Sequence, residues 1–495
     1  MATETKPDAT CKDRRPSEGR RPAWLFAAIA VLLTLQVSWW WIPTPDSAQY
    51  LSMARNFAHG RVQRLGCPHL YYAPGYPAII APAFWLSDRP FLAVGLIHLG
   101  LALMTMLGTL LWLRRVARPM APLLTALVMV NVGLWQHCRM ILSETAFTAE
   151  LIWTGHLLQQ GVESRGWRRW AWLSAAAGLL TLTGITRHAG IMLVPGLGAA
   201  MAVRAWRGKE TWGGAILTVI LTGLPAILAV ASLISWDHAR AIRVNDPLLS
   251  YDQSMLDRSE VLLPRLVEGL RREAGDVGRL LIPGMYKAYA GKGDWWHPNN
   301  FLYAIFALAL ATGWWRMACR RADPLVWSFP FYFALYVIWP FDQGARFMIP
   351  MLPVLWVSFW GFVGRSRRSR QLFAALIILH AALAAVYWVH DVASCRLHAL
   401  WPQWTRIARQ LEPDLGRAGV YCLNGDHALM LDVAVDRHLA AFQPGDRIDS
   451  RIRWLVAPRD EPSPPDFELA STVGDCRILR RTEPTSALQR DGGRE

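Results

Sequence analysis

Apolar runs of about twenty residues recur along most of this chain, and their spacing limits the fold more than any other feature. A helix of that length spans the hydrocarbon core of a bilayer. Eleven such runs can be read, near 23–43, 91–113, 119–136, 144–162, 170–186, 189–203, 211–235, 300–316, 325–341, 347–364 and 371–391. The expected fold is an α-helical polytopic membrane protein, a bundle of about 11 transmembrane helices. Several runs are short, which leaves room for one pair to form a re-entrant hairpin. The first run is not expected to be a cleaved signal. A polar tail of about twenty residues precedes it, and no small-residue cleavage site follows Trp39-Trp40-Trp41. Many of the 26 tryptophans lie at run ends, as interfacial belts require.

The net charge of +15 raises the question of nucleic acid, and the charge distribution excludes it. Basic residues fall in alternate short loops: Lys12 to Arg21, Arg114 to Arg118, Arg165 to Arg169, Arg204 to Lys209, Arg316 to Arg321 and Arg365 to Arg370. This is the positive-inside pattern, and it assigns those loops to the cytoplasm. An odd number of crossings then puts the amino terminus inside and everything after 391 outside. The expected location is a bacterial inner or plasma membrane.

Four parts follow: a cytoplasmic basic tail (1–22), a transmembrane domain (23–391), a small extracytoplasmic C-terminal α/β domain (392–481) and a disordered tail (482–495). Strand-like runs at 419–423, 453–457 and 476–479 and helical stretches near 403–412 and 426–435 define the α/β part. Cys11 and Cys319 are expected inside, and Cys67, Cys138, Cys395, Cys422 and Cys476 outside, where disulfides form. Cys422–Cys476 is the first pair to expect, with unpaired thiols the open alternative. The outward segment 236–299 carries amphipathic pieces and ends in an interfacial cap at Trp295-Trp296.

Two acidic residues stand at outward helix ends, Asp46 after the first run and Glu144 at the start of the fourth. Carboxylates are costly near lipid and need a reason to be there. One reason is local. Asp46 would N-cap a surface helix with Gln49 closing a capping box, and Ser143 would cap the next helix while Glu144 complements its dipole. That surface helix, with Tyr50, Leu51, Ala54, Phe57 and Ala58 on one face, is expected to lie flat on the membrane and to end at His59-Gly60.

The order of motifs supplies a second reason. An acidic residue after the first run is followed by Tyr50-Leu51-x-x-Ala54-Arg55, Pro74-Gly75-Tyr76-Pro77, Leu142-Ser143-Glu144-x-x-Phe147, Gly184-x-Thr186-Arg187 and Arg346-Phe347-x-x-Pro350-x-x-Pro353. In that order the motifs resemble the GT-C superfamily, and more closely its protein O-mannosyltransferase and aminoarabinose-transferase branch, over residues 20 to about 365. The resemblance implies a GT-C-like bundle with its active site at the extracytoplasmic face and a polyprenyl-phosphate-linked sugar as donor. It implies inverting single displacement onto a lipid, glycan or protein acceptor, and no cofactor beyond the donor itself. Ser47 departs from it, since many relatives carry a second acidic residue there.

Within that frame Asp46 and Glu144 are the catalytic candidates, Asp46 to take or polarise the acceptor's proton and Glu144 to orient the acceptor or the loop. Glu150 falls about 9 Å further along the same helix, inside the bundle. Arg187, His188 and Arg346 are outward cations against the topology bias. A lipid phosphate would suit the guanidinium forks, and snorkelling toward headgroups is the bland alternative. Tyr72 and Tyr76 are candidates for stacking on a sugar, with interfacial anchoring the alternative. His59 and His69 are given no role. No Asp-x-Asp pair or His/Cys cluster marks a metal site, and no Gly-Lys-Ser/Thr motif marks a nucleotide site. The competing function class is a lipid or lipid-sugar flippase without transfer chemistry, which places polar, broken segments near the bilayer midplane.

Overall fold

The computed structural model describes residues 21–65, 70–87, 89–243, 262–282, 298–339, 344–364, 366–393 and 401–411, and in the C-terminal part 419–422, 430–431, 433–434, 440–441, 452–459 and 463–482. The expectations for Cys11, Cys67, His69, Cys395, the Trp295-Trp296 cap and the last residues lie outside the described residues, as does nearly all of the basic tail.

Each of the eleven expected runs holds a helix. In order they are α1 (Arg21–Thr34), α5 (Phe91–Val116), the broken pair α6 (Ala121–Val130) and α7 (Val132–Arg139), α8 (Glu144–Glu163), α9 (Gly166–Thr186), α10 (Leu193–Trp206), α11 (Trp212–Arg243), α13 (Pro298–Arg320), α14 (Pro324–Val337), α15 (Leu352–Val363) and α16 (Arg367–Ala393). Outside them lie α2 (Pro45–Ala58), α3 (Gly75–Ile80), α4 (Ala83–Leu86), α12 (Leu262–Leu281) and α17 (Trp401–Leu411). Among the described residues five helical spans are long and apolar enough to cross a membrane, and the bent pair makes a sixth. Their outer faces present large apolar side chains, such as Ile378, Val386 and Val389 on α16. No water-soluble protein leaves so much apolar surface uncovered, and the chain is an integral membrane protein.

Two departures from the expected spans have local causes. The first helix stops at Thr34, and Trp41 is not an interfacial anchor. Its ring is 2% exposed, stacks on Phe91 and donates Nε1–H to Ser47 Oγ at 2.8 Å. The third run bends by 50° at Asn131. The Asn131 side chain accepts from the Gly133 and Leu134 amides, starting α7 afresh, and donates to the Leu280 carbonyl on α12 at 2.6 Å.

The basic loops interlock at one end of the bundle. Arg115 pairs with Glu163 at 2.6 Å, Arg169 with Glu210 at 2.7 Å, Arg207 donates to the Cys319 carbonyl, and Arg321 donates to the Arg115 carbonyl. Between the two ends lies a dense apolar core around Trp112, Phe147, Tyr332 and Trp356. A second core, at the other end, joins α2 and α3 to the C-terminal part through Leu51, Tyr76, Trp404, Leu431 and Ile478. Helix α2 is therefore buried from Ser47 to Ala54. It does not lie flat on lipid, because α3 and α4 pack against it and its buried side chains share one apolar core with Trp404 of α17 and Ile478 of the C-terminal sheet.

That sheet has five strands in the order β2-β1-β3-β5-β4: β1 (Gly419–Cys422), β2 (Ala440–Ala441), β3 (Ile452–Pro458), β4 (Phe467–Val473) and β5 (Cys476–Arg481). β1 pairs in parallel with β2 and β3, and β5 runs antiparallel to β3 and β4. The order corrects the expected Cys422–Cys476 disulfide. Those residues sit on β1 and β5, with β3 between them, so their backbones are about 10 Å apart, beyond the reach of a disulfide. Cys476 is a buried free thiol.

Candidate active site

Helix α2 begins with a capping box, made by residues other than those expected. Thr44 Oγ1 accepts the Ser47 amide at 3.1 Å, and Ser47 Oγ accepts the Thr44 amide at 2.8 Å. Pro45 takes the first helical position, which starts the helix early enough to put Asp46 at the second. The Asp46 carboxylate is thereby spared from capping. Gln49, the expected partner in the box, accepts from Arg64 at 2.8 Å.

Asp46 spends both oxygens on neighbours far away in sequence. Oδ2 lies 2.8 Å from Arg346 Nη1, and Oδ1 accepts the Tyr72 hydroxyl at 3.1 Å. Its side chain is 18% exposed, open enough to meet a ligand. Tyr50 is buried and Tyr72 half-buried beside it, and loss of solvent together with the Asp46 charge pushes both phenols well above their ordinary range. They stay neutral, and Tyr72 acts on Asp46 as a donor.

Glu144 opens α8, yet Ser143 does not cap that helix with its side chain. The Ser143 hydroxyl instead lies 3.4 Å from the Tyr50 hydroxyl. Glu144 is 2% exposed; its Oε1 is 3.0 Å from Arg187 Nη1 and 3.8 Å from Arg346 Nε. Its Oε2 has no hydrogen-bond partner among the described residues. Arg346 therefore bridges the two carboxylates, and Arg187 holds the deeper one. Phe147, one helical turn below Glu144, and Phe347, next to Arg346, form the apolar floor. The Arg187 guanidinium stands 5.7 Å and 5.0 Å from these ring centres, and Arg346 is 5.5 Å from Phe347.

Two of the short motifs meet in the backbone. Gly75 lies against Thr186, so that a Cβ at position 75 would fall 2.7 Å from Thr186 Cα. This approach, open only to glycine, seats the end of α9 and with it Arg187, whose backbone is extended there. Thr186 also donates to Glu150 Oε1 at 3.1 Å, which gives the intramembrane carboxylate an internal partner. His188 follows Arg187 and opens a 3-10 turn, His188–Met192.

Of the sequence candidates, the structure brings Asp46, Tyr72, Glu144, Arg187 and Arg346 into one cluster. Tyr76 does not offer its ring to a ligand. It is fully buried, its hydroxyl 2.8 Å from His98 Nε2, and it forms the wall behind Tyr50. The residues that sequence reading missed are the phenyl floor (Phe147, Phe347) and the tyrosines Tyr50 and Tyr336. Tyr336 stacks on Phe347 with ring centres 4.3 Å apart. Phe147 and Phe347 were visible as the last residue of Glu144-x-x-Phe147 and the neighbour of Arg346. Tyr336 carries no sequence signal beyond an aromatic in an apolar run. The C-terminal part reaches this end as well, for Arg55 on α2 donates to the Val433 carbonyl at 2.6 Å.

No protein-family model matches the chain, and no match was found among the curated proteins. Solved structures do match. ArnT from Cupriavidus metallidurans bound to undecaprenyl phosphate is 11% identical, with a TM-score of 0.52 over 92% of this chain and 97% of that one. Its apo state gives a TM-score of 0.54 at 12% identity with the same coverage. The archaeal oligosaccharyltransferase AglB from Archaeoglobus fulgidus, in complex with an inhibitory peptide and a dolichol-phosphate, gives 0.51 at 11% identity over 89% of this chain and 70% of that one. The fold of this chain is the GT-C fold of these membrane glycosyltransferases.

Proposed function

We propose that this protein transfers a sugar from a polyprenyl-phosphate donor to an acceptor hydroxyl at the extracytoplasmic membrane face. The observation that carries this reading is Arg346, a single guanidinium held between a half-open carboxylate, Asp46, and a buried one, Glu144. The likeness to structures with bound undecaprenyl phosphate and dolichol-phosphate supports the donor class.

The lipid phosphate enters beside Arg346 and Arg187, where guanidinium forks donate to its oxygens. Competition from the phosphate weakens the Arg346–Asp46 pair and frees Asp46 to work on the acceptor. The acceptor oxygen attacks the anomeric carbon, and its proton passes to Asp46. The carbon–oxygen bond to phosphate breaks, and the polyprenyl phosphate leaves with the electron pair. The two arginines stabilise the charge that grows on it. Tyr72 holds Asp46 in line. Glu144 keeps Arg187 and Arg346 charged and aimed, so it acts as a positioning residue. The donor sugar needs no cofactor for this step. The positive-inside pattern supports a site outside the cytoplasm with the amino terminus inside, and the proposed location is a bacterial inner or plasma membrane.

The test is reconstitution. Purified protein in liposomes is supplied with polyprenyl-phosphate sugars from the source membrane, and products are followed by mass spectrometry. Loss of sugar from the carrier, with its mass gained by an acceptor, supports the reading. Movement of intact donor across the bilayer without bond cleavage overturns it in favour of transport.

A further inference from the structure

We propose that the basic end of the bundle carries a built site for the phosphodiester headgroup of an anionic phospholipid. A cavity of about 410 Å³ opens there, lined by Arg316, Arg320 and Arg321 with apolar walls from Val116, Met317 and Trp360. It is remote from the candidate active site. Val116 neighbours Arg115, which pairs with Glu163 at the far end of α8, about 30 Å from Glu144 at the helical rise per residue.

Three features separate this cavity from the diffuse positive charge that sets topology. Among the described residues no carboxylate pairs with Arg316, Arg320 or Arg321, whereas Arg115 and Arg169 on the same face both have acidic partners. Arg321 is fixed by donating to the Arg115 carbonyl, and the Arg320 and Cys319 carbonyls accept from Arg207. Those bonds also settle an opposing effect. The cavity lies where α5, α13 and α15 end, and each C-terminus carries about half a negative charge. The three lining guanidinium groups, with Arg207 on the helix-end carbonyls, outweigh three such half-charges and leave a net attraction for an anion.

The cavity walls decide between a lipid and a soluble phosphate. Helices α13 and α15 cross so closely that a side chain at Gly313 would run into the Ser358 carbonyl. The cavity forms at the end of that crossing, and the exposed apolar residues Trp315 and Phe362 stand next along the chain to its lining residues Arg316 and Gly361. A headgroup between the arginines would leave its acyl chains on those apolar faces, and a free phosphate would leave them bare.

Native mass spectrometry of the full chain, released from nanodiscs of phosphatidylglycerol and phosphatidylcholine, tests the site. Expected is retention of phosphatidylglycerol over phosphatidylcholine. Retention should fall about tenfold or more in R316Q/R320Q/R321Q and persist in the charge-conserving R316K/R320K/R321K. R367Q/R368Q/R370Q removes the same charge from exposed positions on the same face, and should leave retention unchanged. Equal loss in both Gln triples would reduce the effect to diffuse surface charge and overturn the proposal. So would undiminished retention in R316Q/R320Q/R321Q. Thermal protection by glycerol phosphate equal to that by phosphatidylglycerol would overturn the choice of a lipid. Should R316Q/R320Q/R321Q fail to fold, the single variants R316Q and R320Q are read on the same scale.

Discussion

Removing Arg187 should cost this protein more stability than function alone would suggest, and a second substitution should return most of it. In R187M, Glu144 remains 2% exposed with its nearest described cation, Arg346 Nε, 3.8 Å away. Leaving one member of a buried pair uncompensated costs about 3–5 kcal/mol. Residual attraction from Arg346 puts the expectation near the lower figure, about 3 kcal/mol. The lost cation–aromatic contacts with Phe147 and Phe347 contribute about 1 kcal/mol within that loss, and the methionine side chain recovers part of it by packing on the same rings. In E144Q/R187M no charge is left stranded, so the double variant should lie within about 1–2 kcal/mol of the parent. With a loss of about 1 kcal/mol or more in E144Q, which strands Arg187, the coupling energy is about 2 kcal/mol or more, as expected for residues in direct contact. Unfolding in mixed micelles, measured for the parent, both single variants and the double variant, gives the cycle. Sugar transfer should stay low in the double variant, because stability returns without the phosphate-binding cation. Additive single losses, with coupling under about 0.5 kcal/mol, would refute the view that Glu144 and Arg187 stabilise each other as a buried pair.

Further expectations follow from single contacts. Gly75→Ala forces a Cβ to within 2.7 Å of Thr186 Cα. The end of α9 must move, and transfer should fall by up to about a hundredfold for a displacement near 1 Å, while thermal scans show a loss of about 1–3 kcal/mol. Tyr72→Phe removes a donor from Asp46. It should cost about 1.5–3 kcal/mol of transition-state stabilisation, read as a drop in kcat with KM for the donor nearly unchanged. Burial pushes the Cys476 thiol up to about 11. The reactive thiolate is therefore scarce at all pH values below that, and alkylation of native protein at pH 8 should spare Cys476, with no Cys422–Cys476 crosslink in peptide maps.

The sequence was most legible where physics is one-dimensional. Membrane thickness fixes run length, so each apolar run could be read as a helix, though among the described residues only five or six spans are long and apolar enough to cross, and the alternation of basic loops marked the end where Arg115, Arg169, Arg207 and Arg321 interlock. The site was legible in its charges, because Asp46, Glu144, Arg187 and Arg346 are anomalous for their surroundings. Local chemistry was harder to read. Pro45 moved the start of α2 two positions earlier, and so moved capping from Asp46 and Gln49 to Thr44 and Ser47. Tyr76 read as a sugar-stacking candidate, with interfacial anchoring the alternative, but His98 lies 22 residues on and meets it only in the folded chain. The Cys422–Cys476 expectation failed because spacing along the sequence does not reveal strand order, and β3 inserts between the two strands. The cover placed on α2 by the C-terminal part was equally invisible, since it depends on contacts between segments almost 400 residues apart, as in Arg55 to Val433.

The proposed chemistry is tested most directly by a single turnover of Asp46→Asn protein against the parent. Both are loaded with polyprenyl-phosphate sugar in liposomes, and donor occupancy is measured in the same sample. Expected is full occupancy with release of polyprenyl phosphate slowed by about 10²–10⁴-fold, the contribution of a positioned general base. Release at the parental rate with equal occupancy would remove Asp46 from the reaction, and with it the mechanism built around the Arg346 bridge.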